Sequence, residues 1–289
     1  MYKNKKITLF AFASQDLSRS SNRLKRQAQN SDYYDEIKIL GPKDFDEQMK
    51  KKFNLIKGGS TKRGYGYWFW KPVFLMKIMK NIDFGDIIHY VDIGCHIQNK
   101  NFRFNEYLNL LNKSEKFILP FQYHLNNTNF PNDILFSKRE EFKYTKADLI
   151  DNFKFLDNRD VTHTPQFWAG SFFIKKEKES ENFLKEWIEF FDKKFDLIDD
   201  SDSIIENFKG FIQNRHDQSV FSLLCKKYSI KSLSAYECDW GEKDNKRTWN
   251  HNSNNPILAK RDLKYNIFKR FINRQIRTFN RYKYKYFKN

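Results

Sequence analysis

The chain has 289 residues, with 53 Lys and Arg against 36 Asp and Glu, a net charge of +17, and only three cysteines. That length buries a full core without disulfides or a structural metal. Cys95, Cys225 and Cys238 show no C-x-x-C spacing, which argues against a disulfide framework or zinc cluster and suits a reducing cytoplasm.

The apolar run 7–13 reads as a buried first strand, too short for a secretory signal and far short of the length that spans a bilayer. A helix is predicted over 22–30, a short strand over 36–40 closed by Gly41-Pro42, and a helix over 44–53. A loop bearing Gly and Lys, 57–66, leads into a helical stretch over 68–80 with Pro72 near its start. The strongest strand is 87–93, ending at Gly94. Helix 102–111, strand 117–121, strand 167–174 interrupted by Gly170, and helices 179–195 and 218–227 follow. Short strands alternating with helices predict an α/β fold with a mostly parallel sheet. The segment 257–289 differs. Lys260, Arg261, Lys264, Lys269, Arg270, Arg274, Arg277, Arg281, Lys283, Lys285 and Lys288 face only Asp262, a local excess of about +10. Ile267, Phe268, Phe271, Ile272, Ile276 and Phe279 interleave at near-helical spacing, so a basic amphipathic helix is predicted.

Several constellations carry chemistry. Strand 87–93 delivers Asp92 to its C-terminal end, where open α/β sheets bind ligands. A carboxylate there holds Mg²⁺ or Mn²⁺ whose other ligands are diphosphate oxygens, or it caps a turn. In Gly64-Tyr65-Gly66-Tyr67-Trp68-Phe69-Trp70-Lys71-Pro72 the aromatic faces suit sugar or base rings, the glycines admit a close ligand, and Lys71 can neutralise a phosphate. Trp68 and Trp70 read better as core. The small residues of Trp168-Ala169-Gly170-Ser171 leave room beside the sheet for a ligand or a close-packed helix. Arg215-His216-Asp217-Gln218-Ser219 opens a helix, with Asp217 suited to orient or deprotonate an acceptor hydroxyl and His216 to contact the acceptor; capping explains the same acid. His251, late in a polar loop, can complete a divalent-metal site or simply sit on the surface. No phosphate loop, dinucleotide fingerprint, G-x-S-x-G elbow or H-E-x-x-H is present.

In order, Arg63-Gly64-Tyr65-Gly66-Tyr67-Trp68-Phe69-Trp70-Lys71-Pro72, Gly85-Asp86-Ile87-Ile88-His89-Tyr90-Val91-Asp92-Ile93-Gly94-Cys95, Trp168-Ala169-Gly170 and His216-Asp217-Gln218 resemble a family of bacterial GT-A-like glycosyltransferases of capsule and lipopolysaccharide gene clusters. The resemblance implies a single GT-A-like domain over 1–256, its mostly parallel central sheet flanked by helices. It implies a nucleotide-sugar donor, UDP-linked first, held by Ser14, Arg63, Gly64, Tyr65, Lys71, Asp92 and Gly94. An acceptor site follows from Trp168, Gly170, Ser171, His216 and Gln218, with Asp92 and Asp217 catalytic. The DxD-like element reads Asp92-Ile93-Gly94 and lacks its second carboxylate. A Mn²⁺ or Mg²⁺ ion then rests on Asp92 with His251, or Lys71 and Arg63 serve the diphosphate instead.

The acceptor expected from the resemblance is a glycan or a lipid-linked carrier, reached at the inner face of the cytoplasmic membrane by the basic tail lying on anionic lipid. The net charge also suits a nucleic-acid binder, but no C₂H₂ spacing, RNP1-like strand or helix-turn-helix is present, and no nucleic acid is expected as partner. A catalytically inactive scaffold of a polysaccharide assembly complex is the third reading, allowed by the missing carboxylate.

Overall fold

A computed structural model describes residues 5–57, 63–125, 130–261 and 275. Its strands are β1 (Ile7–Phe12), β2 (Glu36–Leu40), β3 (Ile87–Val91), β4 (His96–Ile97), β5 (Ile118–Gln122), β6 (Phe167–Lys175), β7 (Leu233–Ser234), β8 (Gly241–Lys243), β9 (Lys246–Thr248) and β10 (Ile257–Leu258). The longer helices are α1 (Ser18–Ser31), α2 (Glu47–Lys57), α3 (Trp70–Lys80), α4 (Asn101–Lys113), α5 (Lys178–Lys193) and α6 (Asp217–Lys227).

β1 is apolar at every position but Thr8 because both of its faces are covered. Leu9 and Ala11 pack with Leu24 and Ala28 of α1 and with Phe104 and Tyr107 of α4. Phe10 and Phe12 join Phe74 and Leu75 of α3, Trp187 of α5 and Phe221 of α6 on the other side. The six-stranded sheet runs in the order β2-β1-β3-β6-β5-β7. β2, β1 and β3 pair in parallel, as do β5 and β7, and β6 runs antiparallel to both of its neighbours. The fold is therefore α/β with a mostly parallel central sheet between helical layers, as expected. Strand direction leaves no mark on apolar pattern, so the reversed β6 was not legible.

The reversal matters for the site. Because β6 is antiparallel, its N-terminal half lies at the C-terminal edge of β3, with Val91 opposite Ser171 and the Asp92 N–H donating to the Gly170 carbonyl at 2.8 Å. On its other side, β6 pairs Phe172 with Pro120 and Trp168 with Phe121, so residues 169–171 bulge away from the β5 ladder.

The expected helix over 22–30 extends back to Ser18. The helix expected from 68 begins at Trp70. Before it, Gly64, Tyr65, Gly66, Tyr67 and Trp68 all have positive φ, between 53° and 89°. Ile257–Leu258, the first residues of the expected C-terminal helix, form a short antiparallel strand with β4. The rest of that expectation, beyond 261, lies outside the described residues apart from Gln275. Among the described residues no helix is long and apolar enough to cross a membrane.

Candidate active site

The strand edge gathers two carboxylates and a buried ammonium. Asp92 follows β3, and its carbonyl accepts the Cys95 N–H at 2.8 Å, closing a tight turn. Its carboxylate accepts the Tyr90 hydroxyl at 2.6 Å and stays partly exposed. Burial, and then the Asp92 charge, push the Tyr90 phenol well above its ordinary range, so it remains a donor.

Lys71, in the first turn of α3, and Asp217, the first residue of α6, meet on the Tyr90 face of the sheet. The Lys71 ammonium donates to Asp217 Oδ2 at 2.5 Å and to the Ala169 carbonyl at 3.0 Å, and it lies 4.8 Å from the Tyr90 ring centre. The bulge in β6 leaves the Ala169 carbonyl without a β5 partner, which frees it for this contact. The two side chains are only 2% and 5% exposed. Burial raises the Asp217 carboxyl to about 6; Lys71 pulls it down and the nearby Asp92 charge pushes it up. A buried carboxylate raised to about 6 can hold and release a proton near neutral pH.

Gln218, next to Asp217, is fixed by a chain of hydrogen bonds. Glu141, fully buried, accepts from Lys226 at 2.8 Å, from Thr145 at 2.6 Å and from the Gln166 amide at 2.9 Å. A carboxylate accepts only, so Gln166 must turn its NH₂ to Glu141 and its oxygen to Gln218, whose amide donates to it at 2.9 Å. The Gln218 carbonyl oxygen is thereby directed away from this chain.

The other predicted residues take varied places. Arg63 donates to Asp200 at 2.7 Å and to His216 Nε2 at 3.0 Å. His216 is buried, and its Nδ1 faces the Ile198 carbonyl at 2.6 Å, so both ring nitrogens are engaged; burial lowers its pKa and keeps it neutral. Gly64 lies beneath the Trp68 indole, where a Cβ would stand 2.2 Å from the ring. Tyr65 stacks on Phe53 at 4.6 Å, and Trp70 stacks on Phe12 at 3.9 Å. Ser14 follows β1 and donates to Asp16. Gly94 lies under the methylenes of Arg261. The space expected at Gly170 is filled by the Trp168 indole, 2.3 Å from where a Cβ would sit. Ser171 is fully buried and bonds to His89 at 3.0 Å, on the sheet face opposite Tyr90.

His251 is not brought to Asp92 by any contact described. Its Nε2 meets the Asp239 carbonyl at 3.1 Å and its ring stands edge-on to Phe130 and Phe136. Among the described residues no three His, Cys, Asp or Glu side chains converge for a metal ion. A lone Asp92 with a carbonyl-bound His251 does not fit a protein-held divalent cation, so no chemical step below runs through one.

The sequence passed over Tyr90, Gln166, Glu141 and Arg215. Arg215 and Tyr90 had a local signal, standing in the motif that opens α6 and in the strand that ends at Asp92; Gln166 and Glu141 act through contacts across the chain.

No protein-family model matches the chain, and a search of curated proteins gives no match. Its fold is similar to solved glycosyltransferase structures. One is the galactosyltransferase LgtC in complex with donor and acceptor sugar analogs, 10% identical over 88% of this chain and 86% of that one, with a TM-score of 0.39. Another is mouse xyloside xylosyltransferase 1, 13% identical over 81% and 86% of the two chains, with a TM-score of 0.38. A third is a glycosyltransferase involved in the glycosylation of the major capsid of PBCV-1, 8% identical over 88% and 93%, with a TM-score of 0.38. At such identities the functional reading rests on the site's own residues.

Proposed function

We propose that the chain is a glycosyltransferase that moves a sugar from a nucleotide-diphosphate donor, UDP-linked by the resemblance, to a glycan or lipid-linked acceptor of a bacterial surface polysaccharide. One observation carries the reading. The four stretches behind the sequence resemblance meet at a single strand edge: Lys71 bonds to Asp217 and to Ala169, Arg63 bonds to His216, and Asp92 bonds to Gly170. Packing alone does not require a buried cation from one helix start to pair with a carboxylate from another beside the strand-end Asp92, and ligands of open α/β sheets bind at this edge.

Breaking the bond between anomeric carbon and phosphate develops positive charge on the sugar and negative charge on the diphosphate. Asp92, oriented by Tyr90, is the carboxylate assigned to the donor sugar. Asp217 is assigned to the acceptor hydroxyl; Lys71 holds one of its oxygens and keeps the carboxylate ionised in a dry setting. Gln218 offers its carbonyl oxygen to an acceptor hydroxyl. The reading sets the enzyme at the cytoplasmic face of the membrane, with the basic segment 257–289 against anionic lipid.

A thermal-shift panel of UDP-, GDP-, CMP- and CDP-conjugates, with and without Mn²⁺, tests the donor. A ligand at a hundred times its Kd stabilises the fold by about 2.7 kcal/mol. The expected result is a shift with one nucleotide that is lost in Asp92→Ala. No shift with any of them removes the reading.

A further inference from the structure

Arg215 is a half-buried arginine just before the start of α6. It lies two residues before Asp217, stacked on the Tyr144 ring at 4.2 Å. Among the described residues it makes no ion pair, and its Nε is buried without a hydrogen-bond partner. A half-buried guanidinium with an unsatisfied Nε and no carboxylate partner has N–H donors left for a ligand. Backbone contacts gather the two arginines around Gln166: its N–H donates to the Arg139 carbonyl at 2.7 Å, its carbonyl accepts the Tyr123 N–H at 3.0 Å, and its side-chain amide donates at 3.3 Å to the Tyr144 carbonyl, which also accepts the Arg215 N–H at 3.1 Å. Arg139 stacks on Tyr123 at 4.0 Å and pairs with Asp239 at 3.0 Å. Asp239 also accepts the Tyr123 hydroxyl at 3.2 Å, so the one carboxylate at Arg139 is already engaged by two donors. Arg247, stacked on Trp240 at 4.3 Å, adds a third cation at the rim. The local charge is close to +2.

We propose that Arg215 and Arg139, framed by Tyr123 and Tyr144, form a binding site for a phosphate-class oxyanion carried by a substrate. Planar guanidinium forks suit tetrahedral oxyanions through paired N–H donors, and the excess of two positive charges matches a phosphate better than a carboxylate. Position agrees. Tyr123 follows β5, two strands along the edge from β3, so the site stands roughly 10 Å from Asp92. That separation is on the scale of a sugar ring between a reacting carbon or hydroxyl and a phosphate. The source is the acceptor's phosphate or the donor's diphosphate; assigning it to a substrate rests on the glycosyl-transfer reading, while the site itself does not.

The test is titration of inorganic phosphate and pyrophosphate into the full chain by calorimetry, for wild type, Arg215→Gln, Arg215→Lys and Arg139→Gln. Loss of one guanidinium is expected to weaken pyrophosphate about ten- to a hundred-fold. Arg215→Lys, which keeps the charge without the fork, should fall between. Without ligand, Arg215→Gln should melt at or above the wild-type temperature, since no ion pair is lost and only the stacking on Tyr144 goes. Wild-type affinity in Arg215→Gln overturns the proposal, and so does a lowered ligand-free melting temperature, which would make Arg215 a structural residue. UDP distinguishes the sources. Phosphate binding that persists with UDP bound assigns the site to the acceptor, and displacement by UDP assigns it to the donor diphosphate. The titration needs no turnover, so a chain that binds phosphate through Arg215 but transfers no sugar keeps the site and loses the enzyme reading.

Discussion

Removing either partner of the Lys71–Asp217 pair should damage the fold far more than removing both. In Asp217→Leu the Lys71 ammonium, 2% exposed, keeps only the Ala169 carbonyl at 3.0 Å and the Tyr90 ring at 4.8 Å. Breaking a buried pair by deleting one partner costs about 3–5 kcal/mol, a large share of the 5–15 kcal/mol typical of folded domains. Lys71→Met leaves the Asp217 carboxyl beside Asp92 with no cation, which drives it to take up a proton and costs less at low pH. The double variant Lys71→Met with Asp217→Leu buries two apolar groups of similar volume in place of two charges, a change that is often neutral or better. A helix N-terminal acid worth about 0.3–1 kcal/mol is still lost. The expected coupling energy is therefore about 3 kcal/mol or more, read from urea denaturation of the four proteins at one pH. A single variant costing under about 1 kcal/mol, or a double variant costing the sum of the singles, would refute a dry, mutually dependent pair. The double variant, folded but without Asp217, should also be inactive, which separates stability from chemistry.

With the Asp217 carboxyl raised to about 6, kcat/KM should fall as pH drops through that value, and the acid limb should be absent from the residual activity of Asp217→Asn; an unchanged limb in the variant assigns it elsewhere. The same shift has a sign for stability. A folded-state pKa above the unfolded value favours the fold fully below about 3.8, and this contribution is lost as pH rises through about 6; pH-dependent denaturation of wild type against Lys71→Met/Asp217→Leu reads it. Gln166→Met should free the Gln218 amide to rotate, raising KM for the acceptor several-fold with little change in donor binding; equal effects on both would contradict the fixed orientation. Gly66→Ala should destabilise by about 1–2 kcal/mol, because φ is +89° and the new Cβ would meet Phe69 at 3.0 Å and Phe53 at 3.2 Å; a neutral result would mean the turn adopts another backbone.

The legible parts of the fold were those where local pattern and burial agree. β1 and β3 are covered on both faces, so their apolar runs stand out in the sequence. Asp92 was visible as a carboxylate at a strand end, and Asp217 as an acid opening a helix. Their connection was hidden, because Lys71 and Asp217 are 146 residues apart and meet only through the stacking of α3 and α6 on the sheet. The sequence put 57–66 in a loop and began the helix at 68; the left-handed backbone of 64–68 is imposed by tertiary packing of Trp68 and Tyr65, which propensity does not record. Gly170 suggested open space, but its own neighbour Trp168 fills it, since a glycine reports a close approach without saying by what. His216 drew attention as an acceptor contact and lies buried and doubly bonded, tying the Arg63 turn to the start of α6. Arg139 and Tyr123 carry no periodic or motif signal; only the folded chain gathers them with Tyr144 and Arg215 around Gln166.

Release of nucleoside diphosphate from sugar donors tests the central claim most directly. Wild type and Asp92→Asn, matched for folding by circular dichroism, would be incubated with UDP-, GDP- and CMP-sugars with and without a glycan or lipid-phosphate acceptor. Asp92 as the carboxylate at the donor sugar predicts release from one donor class, faster with acceptor, and a drop of about a hundred-fold or more in Asp92→Asn. Release that is unchanged in Asp92→Asn, or no release from any donor by the wild type, would contradict it.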